Sequence, residues 1–239
     1  MEAAEYDRMD AAEQGMWWYR ALHARLGDAL APVTDGPVLD AGCGTGGLLA
    51  YLAQRFPDLA TIGVEFAPAA ARAAAKSARP VARGSINALP FAEGRFAAAI
   101  AADVLCHGAV DPVRALAELH RVLRPDGLLI VNMPAYGWLL SAHDRAVHNT
   151  RRVTRGALAA MLAGAGFTAI RAGYWNSLLL PLMIAHRLAH RGDGGAGSDV
   201  APFRPWLDRA LHRMTEIERQ RAWPWPAGGS VLAIARRPA

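Results

Sequence analysis

Lysine is almost absent from this chain: Lys76 is the one lysine among its 26 basic residues, and all the others are arginines. The arginines are scattered along the sequence, and no long basic run marks the kind of surface that a nucleic acid would need. The net charge of +5 therefore does not predict a nucleic-acid partner.

Cysteine is also scarce, with Cys43 and Cys106 as its two examples. Their spacing fits neither a disulfide framework nor a zinc site, and unpaired thiols are typical of a reducing cytoplasm. His143 and His148 flank Asp144, but two histidines and one carboxylate are a weak metal pattern. We predict a cytoplasmic protein without a metal site.

Long hydrophobic runs are missing as well. No uninterrupted apolar segment approaches the roughly 20 residues that a membrane-spanning helix needs. The N-terminus opens acidic and polar, unlike the basic and apolar regions of a signal peptide. The most apolar helical stretch, residues 178–188, is short and contains Pro181. We therefore expect no stable membrane insertion.

The sequence does contain a regular alternation of short apolar runs and helical stretches. Predicted strands cover residues 37–41, 60–65, 80–84, 97–102, 127–133, 167–174 and 230–235, and predicted helices cover 46–55, 68–78 and 112–123. Asp111-Pro112 is a favourable helix start, and Thr154 begins a further helix. This alternation predicts a single α/β domain built on a parallel, doubly wound sheet.

The first predicted strand runs into a glycine-rich turn, V-L-D-A-G-C-G-T-G-G at residues 38–47, and then into a helix. We expect the glycines of its G-x-G-x-x-G spacing, which ends at Gly47, to adopt positive φ and to let a ligand approach the backbone closely. Dinucleotide enzymes use the same pattern. Asp40 precedes the glycines, however, and Glu65 ends the second strand. One carboxylate can receive an ammonium group and the other two ribose hydroxyls, so the pair favours a nucleoside that bears an amino acid.

The sequence also contains the motifs G-V-E, L-P-F and D-V-L-C-H and the strand V-L-R-P-D-G-L-L-I-V. In these motifs and in the glycine-rich segment, the sequence resembles the class I S-adenosylmethionine-dependent methyltransferases. The resemblance implies a Rossmann-like, seven-stranded doubly wound sheet with an antiparallel last strand, an N-terminal helical lid and an insertion before the last strand. The implied segments of the 1–239 domain are the lid at 1–32, the cofactor-binding core at 33–175, the insertion at 176–228 and the last strand at 229–239.

The same resemblance implies S-adenosyl-L-methionine as the cofactor, and methyl transfer to an O, N or C nucleophile of a small-molecule acceptor, such as a secondary metabolite. The cofactor-binding residues that it suggests are Asp40, Gly42, Cys43, Gly44, Glu65, Phe66, Ser85, Ile86, Asn87, Ala102 and Trp18. Ser85 departs from the pattern, because many members of the family carry an acidic residue there for the adenine amino group.

Histidines supply the candidates for catalysis. Methyl transfer requires in-line positioning, and an acidic nucleophile also requires a base. His107 follows the fourth predicted strand, and His143 and His148 follow the fifth, at the sheet edge where ligands of open α/β folds bind. In the small-molecule methyltransferases that this sequence resembles, a histidine after the fourth strand lies beside the acceptor, so His107 is the first candidate. A solvated or structural histidine is the alternative at each position.

Two segments are candidates for covering the site. Trp17, Trp18 and Tyr19 lie on the N-terminal helical stretch, where they either pack in the core or form a lid over the cofactor. The apolar run at 178–184 is predicted to wall the acceptor pocket, together with the N-terminal helix and the 134–150 loop.

Other functions and the assembly stay open from the sequence. An NAD(P)-dependent oxidoreductase would use the glycine pattern, although Asp40 disfavours it. A non-methylating descendant of the methyltransferase fold would keep the cofactor loop, and Ser85 is its supporting feature. The oligomeric state is also open, with a homodimer among the alternatives.

Overall fold

The computed structural model describes residues 10–13, 15–68, 70–189, 203–221 and 224–239. Its helices are α1 Trp17–Leu30, α2 Gly47–Arg55, α3 Ala70–Ser77, α4 Pro112–Val122, α5 Ala142–Ala146, α6 Arg155–Gly164, α7 Leu180–Ala189 and α8 Pro205–Arg221. Its strands are β1 Val38–Ala41, β2 Thr61–Glu65, β3 Val81–Arg83, β4 Phe96–Ala102, β5 Leu123–Pro134, β6 Thr168–Trp175 and β7 Ser230–Arg236. Within these ranges, no helix combines the length and the apolar character that crossing a bilayer requires.

The strands form one seven-stranded sheet in the order β3-β2-β1-β4-β5-β7-β6. β1 pairs in parallel with both β2 and β4, whereas β7 runs antiparallel to β5 and to β6. The chain order reverses between β1 and β4, and open α/β sheets bind ligands at such a switch point, beyond the carboxyl ends of the strands. The predicted doubly wound sheet with its antiparallel last strand is confirmed.

Two helix starts agree with the sequence-based prediction. The Asp111 side chain accepts hydrogen bonds from the backbone N–H groups of the first turn of α4, and the Thr154 hydroxyl accepts one from the first turn of α6. Because these caps satisfy N–H groups that the helix itself leaves unpaired, both helices begin at the predicted residue.

The central strand β4 shows how the sheet is covered on both faces. Ala99 and Ala101 pack in the cluster that contains the apolar face of α4, while Ala98 and Ile100 pack with residues of α1 such as Leu26. Successive side chains of a strand point to opposite faces, so this alternation places one helical layer on each side of the sheet.

The insertion before β7 packs against α1. Trp17 shares a small apolar cluster with Leu179 and Leu211 of the insertion. The backbone N–H of Trp17 also donates to Asp208 Oδ1 at 2.7 Å. The insertion therefore holds the N-terminal helix in place from outside.

A buried ion pair strengthens this contact. The Arg25 guanidinium donates to the Thr215 carbonyl at 2.8 Å and lies 3.6 Å from Glu218 Oε1. The other carboxylate oxygen of Glu218 accepts hydrogen bonds from the backbone N–H groups of Ser177 and Leu178. Glu218 thus joins α1, α8 and the start of the insertion through one carboxylate.

We expect Glu218→Ala to lower the free energy of unfolding by about 3–5 kcal/mol, because it leaves a buried guanidinium and two backbone N–H groups without their acceptor. Chemical denaturation measures the change. Glu216→Ala on the same helix is the control, since the partly exposed Glu216 forms its ion pair with Arg219 three residues on, and such surface pairs contribute about 0–1 kcal/mol. Equal losses in the two variants would contradict the role of Glu218.

Candidate active site

A cavity of about 690 Å³ opens beyond the carboxyl ends of β1, β2 and β4. Its walls come from α1, the glycine-rich turn, the residues that follow β2, β3 and β4, and the 145–150 segment, which begins in the last turn of α5. The predicted ligand-binding edge of the sheet is therefore the edge where the structure has its cavity.

The glycine-rich turn lines one end of this cavity. Gly42, Gly44 and Gly46 have positive φ. The sequence predicted this conformation for Gly42, Gly44 and Gly47, so the third position is Gly46 and not Gly47. A Cβ atom at Gly42 would lie 2.6 Å from a methyl group of Val104. Gly47 is instead needed for space, because a Cβ atom there would collide with the Glu13 carboxylate.

Glu65 holds the turn from the end of β2. Its carboxylate is buried, and its two oxygens accept hydrogen bonds from the backbone N–H groups of Gly44 at 3.0 Å and Ala67 at 2.8 Å. The side chain that the sequence assigned to ribose thus also links the glycine-rich turn to the loop after β2.

Glu13 is a member of this site that the sequence analysis missed. It is buried in the cavity wall, where its carboxylate accepts hydrogen bonds from the Thr45 hydroxyl and from Lys76 Nζ, the latter at 2.9 Å. Glu13 lies in an acidic N-terminal segment without a recognisable motif, so no local pattern could have identified it. The single lysine of the chain is used to bind it.

Asp40 is buried beside these two carboxylates. One of its oxygens, Oδ2, has no hydrogen-bond partner among the described residues. Burial, followed by the charges of Glu13 and Glu65, raises the pKa of Asp40 to about 8. A buried carboxylate with a free oxygen is suited to accept a cationic N–H donor, as the sequence predicted.

The aromatic residues of α1 lie in two different surroundings. Trp17 is buried in the cluster with the insertion, whereas Trp18 and Tyr19 line the cavity. Trp18 also stacks on Trp175, with ring centroids 6.3 Å apart. His23, which the sequence analysis did not single out, lines the same wall, and burial lowers its pKa to about 4. The helix is therefore both a core element and part of the cavity wall, and its role as a lid over the cofactor stays a prediction.

The residues predicted for the adenine end are placed unequally. Phe66, with 73% of its surface exposed, lines the cavity together with Ser85 and Ile86. Asn87 does not line it: its side chain donates to the carbonyl of residue 109 and accepts from the N–H of Asp111. This amide bonds two loops together. Cys43 and Ala102 complete the predicted residues that line the wall.

His107 lies at the other end of the cavity, after β4. Its Nδ1 is 3.1 Å from the Val147 carbonyl oxygen, and because a carbonyl only accepts, Nδ1 carries the proton and Nε2 keeps a lone pair. Burial lowers the pKa of His107 below its ordinary value, although the hydrogen bond to Val147 opposes this shift. The imidazole is therefore neutral and available as a base at neutral pH.

The other two predicted histidines follow β5. His148 lines the cavity with an exposed side chain and a backbone φ of 60°. His143 lies in α5, and its side chain is outside what the structure describes. The geometry thus brings His107 and His148 to the same end of the cavity.

Backbone hydrogen bonds fasten the loop after β4 to the segment after α5. The Cys106 carbonyl accepts from the N–H groups of Thr150 and Arg151, and the Gly108 N–H donates to the His148 carbonyl at 2.9 Å. Cys106 itself is buried, and burial raises the pKa of its thiol well above the usual value. The two loops that carry the predicted histidines therefore form one connected wall.

Asp103 is a second residue that the sequence did not place among the candidates for catalysis. It lines the cavity directly after β4 with a φ of 52°. Both of its carboxylate oxygens lie 3.0 Å from the amide nitrogen of Asn132, whose carbonyl oxygen accepts from Trp175 Nε1 at 2.8 Å. Burial raises the pKa of Asp103 to about 7, while the bond from Asn132 limits the shift.

No described residue of the insertion lines this cavity. Two described residues of the insertion, Leu179 and Leu211, instead pack with Trp17 of α1, and an acceptor wall formed by the insertion stays a prediction. Leu182, in the middle of the predicted wall, is 59% exposed. Among all the residues that the structure describes, no group of histidines, cysteines and carboxylates could hold a metal ion.

Asp40 makes the stability of the protein depend on pH. Its pKa is about 8 in the folded chain against the ordinary value of 3.8, so between these values the folded state keeps a proton that the unfolded state has lost. Stability therefore falls as the pH rises through this window. We expect Asp40→Asn to raise the melting temperature relative to the wild type, and to do so more at pH 8 than at pH 5. Asp58→Asn, on an exposed turn, is the control, and a pH-independent gain in Asp40→Asn would contradict the assignment.

Comparisons with known proteins agree with this geometry. The family model described as a methyltransferase domain matches residues 39–131. The chain is 31% identical over 156 residues to the trans-aconitate 2-methyltransferase of Azoarcus sp. (strain BH72). The aligned region covers 64% of this chain and 59% of that protein. It thus spans less than two thirds of that relative.

A second relative is covered more fully. The chain is 31% identical over 185 residues to the malonyl-[acyl-carrier protein] O-methyltransferase of Geobacter sulfurreducens, over 70% of this chain and 67% of that protein. Among solved structures, the chain bound to the Haloferax volcanii Trm112 methyltransferase activator has a TM-score of 0.65 at 21% identity over 98% of both chains, a likeness of fold alone. From the family match and the extent of the Geobacter relationship, we conclude that the chain belongs to the class I S-adenosylmethionine-dependent methyltransferases.

Proposed function

We propose that this methyltransferase acts on a small-molecule acceptor that binds at the His107 end of the cavity, with an O, N or C atom as the nucleophile. The observation that carries the proposal is the continuity of the cavity. One space of about 690 Å³ joins the carboxylate-lined glycine turn to the loops with His107 and His148. A cofactor and an acceptor bound in it would meet without crossing protein.

The residues at the glycine turn fit S-adenosylmethionine. Asp40 has a buried oxygen without a partner, which suits the ammonium group of the methionine part. Glu65 uses one acceptor position on each oxygen for backbone N–H groups, and a carboxylate oxygen has a second position for a ribose hydroxyl. Phe66 and Ile86 offer apolar surface to the adenine, and Ser85 is the polar side chain at its edge.

When bound, S-adenosylmethionine supplies a methyl group already activated on a sulfonium sulfur, so the protein contributes mainly position and exclusion of water. Trp18 and Tyr19 cover the cavity from α1. His107 orients the acceptor, and its Nε2 takes the proton of an acidic nucleophile. His148 is the alternative base at the same end.

The names of the two relatives support an acceptor with carboxylate groups, since both trans-aconitate and the malonyl group carry them. Because the chain belongs to the methyltransferase family, the alternative function of a nicotinamide-dependent oxidoreductase is excluded. A non-methylating descendant is distinguished by a direct assay: transfer of labelled methyl from S-adenosylmethionine to any acceptor contradicts it.

We expect Glu65→Ala to weaken the binding of S-adenosylhomocysteine by roughly 1–3 kcal/mol, because the ribose hydroxyls lose a buried acceptor. Isothermal titration calorimetry measures the change. Glu93→Ala is the control, since this carboxylate is exposed and pairs with Arg237.

A deoxyribose analogue separates the ribose contact from the support that Glu65 gives to the turn. Removing the hydroxyl should weaken binding to the wild type and have little further effect on Glu65→Ala, because the two changes remove the same interaction. Unchanged affinity in Glu65→Ala, or strictly additive losses, would exclude the ribose assignment.

We expect His107→Ala to lower kcat by roughly 10²–10⁴-fold, the usual contribution of a general base, while the affinity for S-adenosylhomocysteine stays nearly constant. Because the pKa of His107 is lowered from 6.5, wild-type activity should fall only at a pH below this value. The variant should lose this acidic limb and recover partly at high pH.

His120→Ala is the matched control, because His120 packs against Phe167 outside the cavity. Normal turnover by His107→Ala would transfer the role to His148, or leave positioning as the whole of catalysis.

A further inference from the structure

The charged side chains of the cavity are divided between its two ends. Glu13, Asp40 and Glu65 lie at the glycine turn, over β1 and β2. The opposite end is formed by the loop after β4 and by the segment that follows β5. Arg145 lies there, and it is the only arginine or lysine among the described residues that line the cavity.

Arg145 differs from the arginines around it in having no partner. Arg152 is buried and binds Asp144 through two nitrogens, with distances of 2.9–3.2 Å. Arg151 is bound to the His107 carbonyl at 2.6 Å. Arg145 is an exposed residue that lines the cavity, and the described part of the chain supplies neither a carboxylate nor a carbonyl to its guanidinium.

The surroundings of Arg145 leave its positive charge uncompensated. Asp144, the nearest acidic residue in sequence, is neutralised by Arg152. Asp103, the other carboxylate at this end, is bound by Asn132, and burial raises its pKa to about 7, so that it is only partly ionised at neutral pH. An acceptor at this end therefore meets one free guanidinium.

The acceptor class follows from this charge. We propose that the methyl acceptor is a small carboxylic acid and that Arg145 binds a carboxylate of it, which makes Arg145 the residue that determines acceptor specificity. A single guanidinium presents two parallel N–H donors that match one carboxylate. The proposal rests on the proposed function, since it names the class of acceptor for the same cavity.

This placement also relates Arg145 to His107. The Val147 carbonyl that binds His107 Nδ1 is two residues from Arg145 along the chain. A carboxylate held by Arg145 would therefore bring the rest of the acceptor to the imidazole. Arg145 acts on binding, and His107 acts on the reacting atom.

The first test measures binding without turnover. Protein saturated with S-adenosylhomocysteine is titrated at constant ionic strength with succinate, glutarate and benzoate, each compared with its amide, and thermal stability is the readout. We expect at least one acid to stabilise the wild type and its amide to have no effect. Arg145→Gln should weaken the acid by roughly tenfold to a hundredfold, the value of a hydrogen bond to a charged group.

Two control variants make this result specific. Arg145→Lys should keep part of the affinity, because it retains the charge but not the paired donors. Arg114→Gln should bind as the wild type does, since Arg114 is exposed outside the cavity beside Asp111. Equal effects of acid and amide, equal losses in Arg145→Gln and Arg114→Gln, or no stabilisation by any of the three acids would overturn the proposal.

The second test uses turnover. With labelled S-adenosylmethionine and a panel of small acids and their amides, we expect Arg145→Gln to raise KM for an acid by roughly tenfold or more and to change kcat little. Methylation of neutral acceptors with the same KM in wild type and variant would contradict the proposal. Stabilisation by S-adenosylhomocysteine alone reports on the proposed function, so its absence would reject the cofactor site and not the role of Arg145.

Discussion

Carboxylates that lie away from water at one edge of the sheet are the constraint around which this structure is arranged. An ionised carboxylate without partners is costly in such a place, and the protein meets the cost in three ways. Glu65 accepts two backbone N–H groups, Asp103 is bound by an amide, and Asp40 has a pKa raised to about 8, which favours its protonated form. The bonds of Glu65 hold the glycine turn, and the bond of Asp103 holds the loop after β4. Asp40 keeps one oxygen without a partner among the described residues.

Asn132 links this edge of the sheet to the packing of the rest of the molecule. Its amide binds Asp103 on one side and Trp175 on the other. Trp175 is in turn covered by Trp18 and by the guanidinium of Arg25, 4.7 Å from its ring. Helix α1, the sheet and the insertion therefore meet around one buried indole. A disturbance of the insertion would reach the cavity through α1, although the insertion has no described residue in the cavity wall.

The acceptor end depends on a different set of bonds. The loops after β4 and α5 are joined by backbone hydrogen bonds at Cys106 and Gly108, and the ion pair of Asp144 with Arg152 is almost completely buried. These bonds fix the backbone on both sides of Arg145 and His107. Rigid support of this kind lets one base and one cation act at defined positions.

Local patterns in the chain were enough to predict the sheet, both helix caps and the glycine turn, because periodicity, caps and turn chemistry act between near neighbours. Contacts between distant segments decided the rest. Glu13 reaches Thr45 across 32 residues, and Trp17 reaches Asp208 across 191. No spacing rule relates such pairs, so the sequence did not predict the contact between α1 and the described part of the insertion. The free state of Arg145 is likewise a tertiary property, since it depends on which neighbouring arginines the carboxylates and carbonyls bind when the loops pack together.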